Sequence, residues 1–339
     1  MPRRRYLSII FLLLILLIFT ALYGIAAGSV AIPVSDVFTA IMGFFAPVKE
    51  DTSYTILFSL RLPRVLLAMA VGVSLSIAGA GFQGFFRNPL ADPYVIGASS
   101  GAALGAALAI VLALPNLGFL SSVSLCAFLG ALFTTFLAFS ISRFAGDPPP
   151  AVALLLAGTA LSAFFSALLS LVLVLKDRDM HRVYYWLLGG LGMTSWPELF
   201  TVFPIMAAGA GIVYLASRPL DLLIQGDDVA QSLGLDVGRL RVLVAAGASL
   251  AAAAAVASAG IIGFVGLIAP HAMRIIVGPS HRRLLPASAL GGALLVLTAD
   301  IIARTIAVPL ELPIGIITSV IGAPFFIFLL FKRGRHLGA

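Results

Sequence analysis

From Val242 to Met273 no Asp, Glu, Lys or Arg interrupts the sequence. A water-soluble domain has little room for so long an apolar run, and this one is not alone. A helix that crosses a bilayer needs about 20 mostly apolar residues. Ten segments meet that need: 6–27, 62–84, 94–114, 119–141, 150–175, 198–216, 242–260, 261–277, 285–303 and 312–331. The seventh and eighth share one run, and their separation rests on "SAGIIG" (Ser258–Gly263). Only 10% of the 339 residues are charged, against about 25% in soluble domains. Lipid is therefore the expected solvent. The expected fold class is all-α, an integral membrane protein of ten transmembrane helices forming a single domain over residues 1–339.

The first segment follows "MPRRR", as a signal peptide would, but its apolar run from Tyr6 to Ala27 exceeds a usual h-region, and a retained span is expected. An even number of spans puts both termini on one side. "MPRRR" and "KRGRH" are both basic, so that side is expected to be the cytoplasm. On this threading the inner loops hold Arg87, Arg143, Arg218, Arg239, Arg241, Arg274, Arg282 and Arg283. The outer side holds Lys49, Arg61, Arg64, Lys176, Arg178, Arg182 and Arg304. With the two tails counted, the bias favours the inner side. The net charge of +7 is spread over short loops rather than gathered on one face, which argues against nucleic acid as a partner. In the outer segment 28–60, "VSDVFTAIMGFF" (Val34–Phe45) is expected as a short interfacial helix. The aromatic "HRVYYWLLGGLGMTSW" (His181–Trp196) suits a membrane surface.

"RLPRVLLAMAVG" and "GFQG" bracket the second span, and "RLRVLVAAG" and "GFVG" bracket the seventh. Two spans of opposite direction with similar ends suggest an inverted repeat. Chance likeness among Ala- and Gly-rich helices explains them equally well.

Several chemistries lack their residues. There is no phosphate-binding G-x-x-x-x-G-K-[ST] and no H-E-x-x-H. No Cys/His grouping suits a metal, and the single Cys126 implies no disulfide framework. No cofactor and no catalytic residue is expected. An ion-coupled carrier, the rival reading, would keep a carboxylate or His at membrane depth. His271, near the inner end of its span, comes closest, and a packing role is the simpler account of it.

The longest charged inner loop, 217–241, contains "GDDVAQSLGLD". Asp227 or Asp228 can cap a short helix, Val229 and Leu233 share its face, and Gly234 can end it with Leu235 following. Such a helix either lies on lipid or fits a groove on a cytoplasmic partner. Ahead of the fifth span stand Asp147, Pro148, Pro149 and Pro150, where a proline at the first helical position with Asp147 as cap is expected. Within that span Thr159, Ser162, Ser166 and Ser170 share one face, as helix glue or as the wall of a passage. In "NPLADP", Asp92 can cap a helix opened by Pro93, and the motif reads as a turn rather than a site. Gly315 and Gly322 permit a close helix contact, expected toward a partner subunit.

Seven stretches together carry a specific resemblance. "RLPRVLLAMAVG", "RNPLADPYVIGASSGAALGA", "LLLAGTALSAFFSALL", "GDDVAQSLGLDVGRLR", "GFVGLIAPHAMR", "LTADIIARTIAVPLELPIG" and "IGAPFFIFLLFKRGR" follow one another as in the permease subunits of type II ABC importers. That is the FecCD family, which takes up iron-siderophores, haem and vitamin B12. The resemblance covers about Arg61 to Arg335.

It implies ten spans per subunit and a second permease subunit, either a related chain or, as expected here, a second copy forming a homodimer. It further implies two cytoplasmic ATPase subunits, an external substrate-binding protein and residence in the inner (plasma) membrane. On this basis Asp227, Asp228, Val229, Leu233, Gly234 and Leu235 form the segment that couples to the ATPase. Arg61, Arg64 and Arg304 are the cations that would meet glutamates of the binding protein. The alternatives are that Arg304 pairs with Asp300 on its own helix, and that Arg61 and Arg64 anchor to lipid headgroups. Thr159, Ser162, Ser166 and Ser170 would line the path, with Asp147 to Pro150 at its inner gate. Among substrates, an iron-siderophore stands first, followed by haem and vitamin B12.

Overall fold

The computed structural model describes residues 1–28, 52–118, 120–146, 150–192 and 194–337. The expected interfacial helix at Val34–Phe45 lies outside these residues. Among the described residues the chain is helical throughout and has no strand. The main helices are α1 (Arg3–Ala26), α2 (Leu62–Phe85, entered through shorter helical turns from Thr52 to Arg61), α3 (Ala98–Val111), α4 (Ser122–Ser142), α5 (Ala151–Leu175), α6 (Met180–Leu187) and α7 (Trp196–Leu215). They continue as α8 (Ser217–Leu223), α9 (Asp227–Ser232), α10 (Val237–Ala259), α11 (Val265–Val277), α12 (His281–Thr305) and α13 (Ile314–Leu337).

Each of the ten apolar segments holds one of these helices. Among the described residues seven helices are long and apolar enough to cross a membrane, while Ala98–Val111, Val265–Val277 and Ile314–Leu329 are shorter apolar pieces. Two of the shortened helices have local causes. α3 starts late because Gly97 takes φ +89°, which breaks helical geometry. The preceding "NPLADP" forms turns. Asp92 caps no helix there; its Oδ1 accepts the Tyr94 N–H at 2.9 Å. α11 starts late because Gly260 and Phe264 both have positive φ, at +67° each. This places the break between the seventh and eighth segments at the expected glycines.

α2 is the axis of the bundle, buried on nearly every side and packed against α7, α10, α11 and α12. Its sequence allows this because small residues let backbones touch. A Cβ on Gly79 would stand 1.9 Å from the Gly266 carbonyl oxygen, and one on Gly72 would stand 2.2 Å from that of Gly292. Gly101 of α3 and Gly130 of α4 meet in the same way. Gly315 and Gly322 do not need a partner subunit to explain them. Gly315 lies against the Leu188 carbonyl and Gly322 against the Phe264 ring, so their close contacts are made within the chain.

The contacts define two ends. At the first, the C-terminus of α1 meets the start of α2 and the end of α12 through Arg61 and Arg304. At the second, Arg87 just beyond α2 meets Leu223 and Asp227, and Tyr6 meets Arg283. The 24 residues of α2 separate the ends, about 36 Å at the helical rise. Gly81 near the end of α2 lies beside Val244 near the start of α10, so these two helices run antiparallel.

Candidate functional site

At the first end, Arg61, Arg64 and Arg304 come together, and all three turn inward. The last carbonyls of a helix have no partner within it. For α1 the arginines supply the donors. Arg61 donates to the carbonyls of Ile25 and Ala26 at 3.1 and 2.6 Å, and Arg304 donates to those of Gly24 and Ala27 at 2.7 and 3.0 Å. A positive charge there also suits the helix dipole.

Asp300 sits beneath them, with none of its side chain exposed. Its carboxylate faces Arg64 Nε at 2.9 Å and Arg304 Nε at 3.1 Å. The pairing of Arg304 with Asp300, four residues apart on α12, is therefore formed. Arg64 extends one step further, to Glu311 Oε2 at 2.8 Å, and the Glu311 side chain is half exposed. Through Glu311 the knot has an edge at the surface. Glu311 carried no recognisable sequence signal, because its partner lies far away in the chain.

At the second end, α9 stands on a charged clamp. Asp227 receives Arg87 on one oxygen and Arg241 on the other, the latter at 2.8 Å. Gly226, not Asp227 or Asp228, is the N-cap, and both aspartates lie in the first turn, where the dipole favours them. The helix ends in a Schellman motif: Gly234 at φ +80° donates to the Gln231 carbonyl and Leu235 donates to that of Ala230. Ala230 and Leu235 face the core, while Val229 and Leu233 remain exposed. An apolar pair held outward on a fixed helix can seat in a groove of another protein.

Asp227→Asn is expected to loosen α9 by about 1–2 kcal/mol, because Arg241 then loses its ionic partner. Hydrogen exchange at α9 should speed up while α2 stays protected.

The neighbouring α8 is tied to the start of α12. Asp221 accepts from Ser280 at 2.8 Å and from the His281 backbone N–H at 2.7 Å, and it meets His281 Nδ1 at 2.7 Å. Burial alone would raise the Asp221 pKa, but the hydrogen bonds from His281 and Ser280 outweigh it and hold the carboxyl below its usual range. Its stabilising share is therefore present above about pH 4 and lost as pH falls through the lowered value. Hydrogen exchange in α8 should accelerate only under such acid conditions, and Asp221→Asn should remove that dependence.

On α5, Thr159, Ser166 and Ser170 are exposed, whereas Ser162 is half-buried beside Gly97. The Thr159 and Ser170 hydroxyls donate back to Leu156 and Ser166. Asp147, Pro148 and Pro149 lie outside the described residues. Pro150 is the N-cap of α5 rather than its first helical residue, and the helix opens at Ala151. His271 packs edge-on to Phe325, with ring centroids 6.0 Å apart. Among the described residues no group of His, Cys, Asp and Glu could hold a metal.

Comparison with known proteins adds a family to this geometry. The FecCD transport family matches residues 13–332. The cobalamin import system permease protein BtuC of Halobacterium salinarum is 42% identical over 295 residues, covering 86% of this chain and 78% of that protein. The hemin transport system permease protein HmuU of Yersinia pestis is 38% identical, covering 95% of this chain and 94% of its own. A solved metal-chelate type ABC transporter in an inward-facing conformation is 33% identical, with a TM-score of 0.84 over 96% of this chain and 99% of that one.

Proposed function

The chain belongs to the FecCD transport family, and from that premise we propose that it forms half of the membrane passage of an ATP-driven importer for a metal chelate. It is a permease subunit, a translocation component rather than an enzyme. A second copy completes the passage, and two ATPase subunits bind at the α9 end. A substrate-binding protein delivers cargo at the opposite end. The protein crosses the inner membrane ten times with both termini in the cytoplasm. The shorter helices α3 and α11 then complete their crossings with the turns that precede them.

The substrate class follows the relatives, whose names give cobalamin, hemin and Fe(3+) dicitrate as their cargoes. All are organic complexes of a metal ion. The hydroxyl-lined face of α5 carries no fixed charge, so the passage would hold such a chelate weakly and the binding protein would select it.

The observation that carries the reading is the two-ended design. The exposed Val229 and Leu233 stand on the Arg87–Asp227–Arg241 clamp at one end. The Arg64–Glu311 pair marks the edge of the other. ATP binding would draw the ATPases together and move α9. Through Asp221 and His281 the shift would reach α12.

Docking of the binding protein would require Arg64 to exchange Glu311 for an incoming carboxylate. Glu311→Gln removes the internal competitor and keeps the arginine. It is expected to tighten binding-protein affinity by about two- to fivefold, the scale of an exposed ion pair. Surface plasmon resonance on the nanodisc-embedded transporter would read this, and an unchanged or weaker affinity would remove Arg64 from the docking surface.

The whole reading is tested in liposomes containing the chain, its ATPase and its binding protein. Chelate uptake should need ATP. Uptake driven by a proton gradient alone would indicate an ion-coupled carrier instead.

A further inference from the structure

A trough runs between α4 and α10 beside α7, its mouth adjoining Leu235 of the α9 segment and its apolar length lying outside it. Its deeper part, about 460 Å³, is walled by Phe136, Phe139, Val242, Ala246 and Leu250. It joins a wider mouth of about 730 Å³ where Arg143 and Arg239 stand. The same face continues along α4 as a shallow apolar strip to Leu129.

From Arg143 to Leu129 the helix advances about 21 Å. One leaflet of a bilayer, headgroup region included, is about 20–22 Å deep. The trough is thus as long as one leaflet is deep, with its cations at one end.

The charges are asymmetric. Arg239 pairs with Asp236 at 2.9 Å. Arg143 is exposed and has no carboxylate partner among the described residues. In the wall, Ser249 is only 2% exposed and its hydroxyl has no hydrogen-bond partner among the described residues. An apolar slot one leaflet long, with a guanidinium at its mouth that no described carboxylate pairs, complements an acyl chain joined to a negative headgroup.

We propose that this trough binds an anionic phospholipid, with one acyl chain between α4 and α10 and the phosphate on Arg143. The site does not depend on which substrate the protein carries.

The test uses native mass spectrometry on the full-length protein in detergent, titrated with phosphatidylglycerol or phosphatidylcholine of equal chain length. Phosphatidylglycerol should bind more tightly. Arg143→Gln should weaken it about fivefold, the effect of one basic residue on an anionic headgroup, and weaken phosphatidylcholine, whose choline cation already offsets its phosphate, by less. Ala246→Phe, at an exposed position in the wall, should fill the slot and weaken both lipids. Equal phosphatidylglycerol binding by the parent and Arg143→Gln would overturn the assignment. So would undiminished lipid binding by Ala246→Phe. Loss of the bound lipid on adding the ATPase subunit would give the mouth to that partner and would also overturn it.

Discussion

Asp300→Ala is expected to lower the stability of the protein by about 3–5 kcal/mol, the cost of breaking a buried charge pair by removing one partner. The reason lies in the first-end knot. Asp300 is fully buried between Arg64 and Arg304, and those arginines are themselves mostly buried. Without the carboxylate, two guanidiniums face each other, Arg64 keeping only the half-exposed Glu311 and Arg304 no carboxylate among the described residues. Arg304 would then hold the α1 carbonyls less well. The thermal midpoint in detergent should fall on the order of 10 °C. A midpoint unchanged within error would mean that the knot contributes no stability. Arg64→Glu should behave similarly, since it sets a third carboxylate beside Asp300 and Glu311. Loss of uptake in Arg64→Glu therefore reports the fold, and Glu311→Gln is the variant that separates docking from stability.

Leu233→Asp is expected to leave the fold intact and remove transport. Leu233 is 63% exposed and closes α9 at its C-cap, so the new carboxylate is accommodated in water. In a groove of the ATPase the same carboxylate would be desolvated without a partner. A central apolar contact of this kind is worth about 2–4 kcal/mol, or roughly 30- to 1000-fold in affinity. Co-purification of the ATPase should fail and stimulated ATP hydrolysis should fall to the level of the free ATPase, with the thermal midpoint unchanged. Val229→Asp should act in the same direction. Normal assembly of Leu233→Asp would show that α9 is not the coupling surface.

Much of the helix layout could be read from the chain because apolar length is a local property. Each apolar segment holds a helix, and the C-terminal stop of α9 follows from Gly234 and its positive φ. The i,i+4 spacing of Asp300 and Arg304 offered their contact as the alternative to docking, and the contact is formed. Other features depended on residues far apart in sequence. The inward turn of Arg61 and Arg304 answers the open carbonyls of α1, hundreds of residues away in the case of Arg304. Glu311 and Arg87 acquire meaning only through Arg64 and Asp227. Local rules also competed. Gly226 took the cap expected of an aspartate because Asp227 was engaged by two arginines. Pro150 became a cap, with extended backbone, instead of entering α5.

The Arg64–Glu311 edge and the α9 face are expected to lie on opposite sides of a membrane. Cys126 is the only cysteine, so a Cys126→Ser background allows single cysteines at Glu311 and Leu233, both exposed. A membrane-impermeant maleimide should label the cysteine at 311 only in right-side-out vesicles and the one at 233 only in inside-out vesicles. Labelling of both positions in the same sealed preparation would place the two ends on one side of the membrane and rule out the two-ended arrangement.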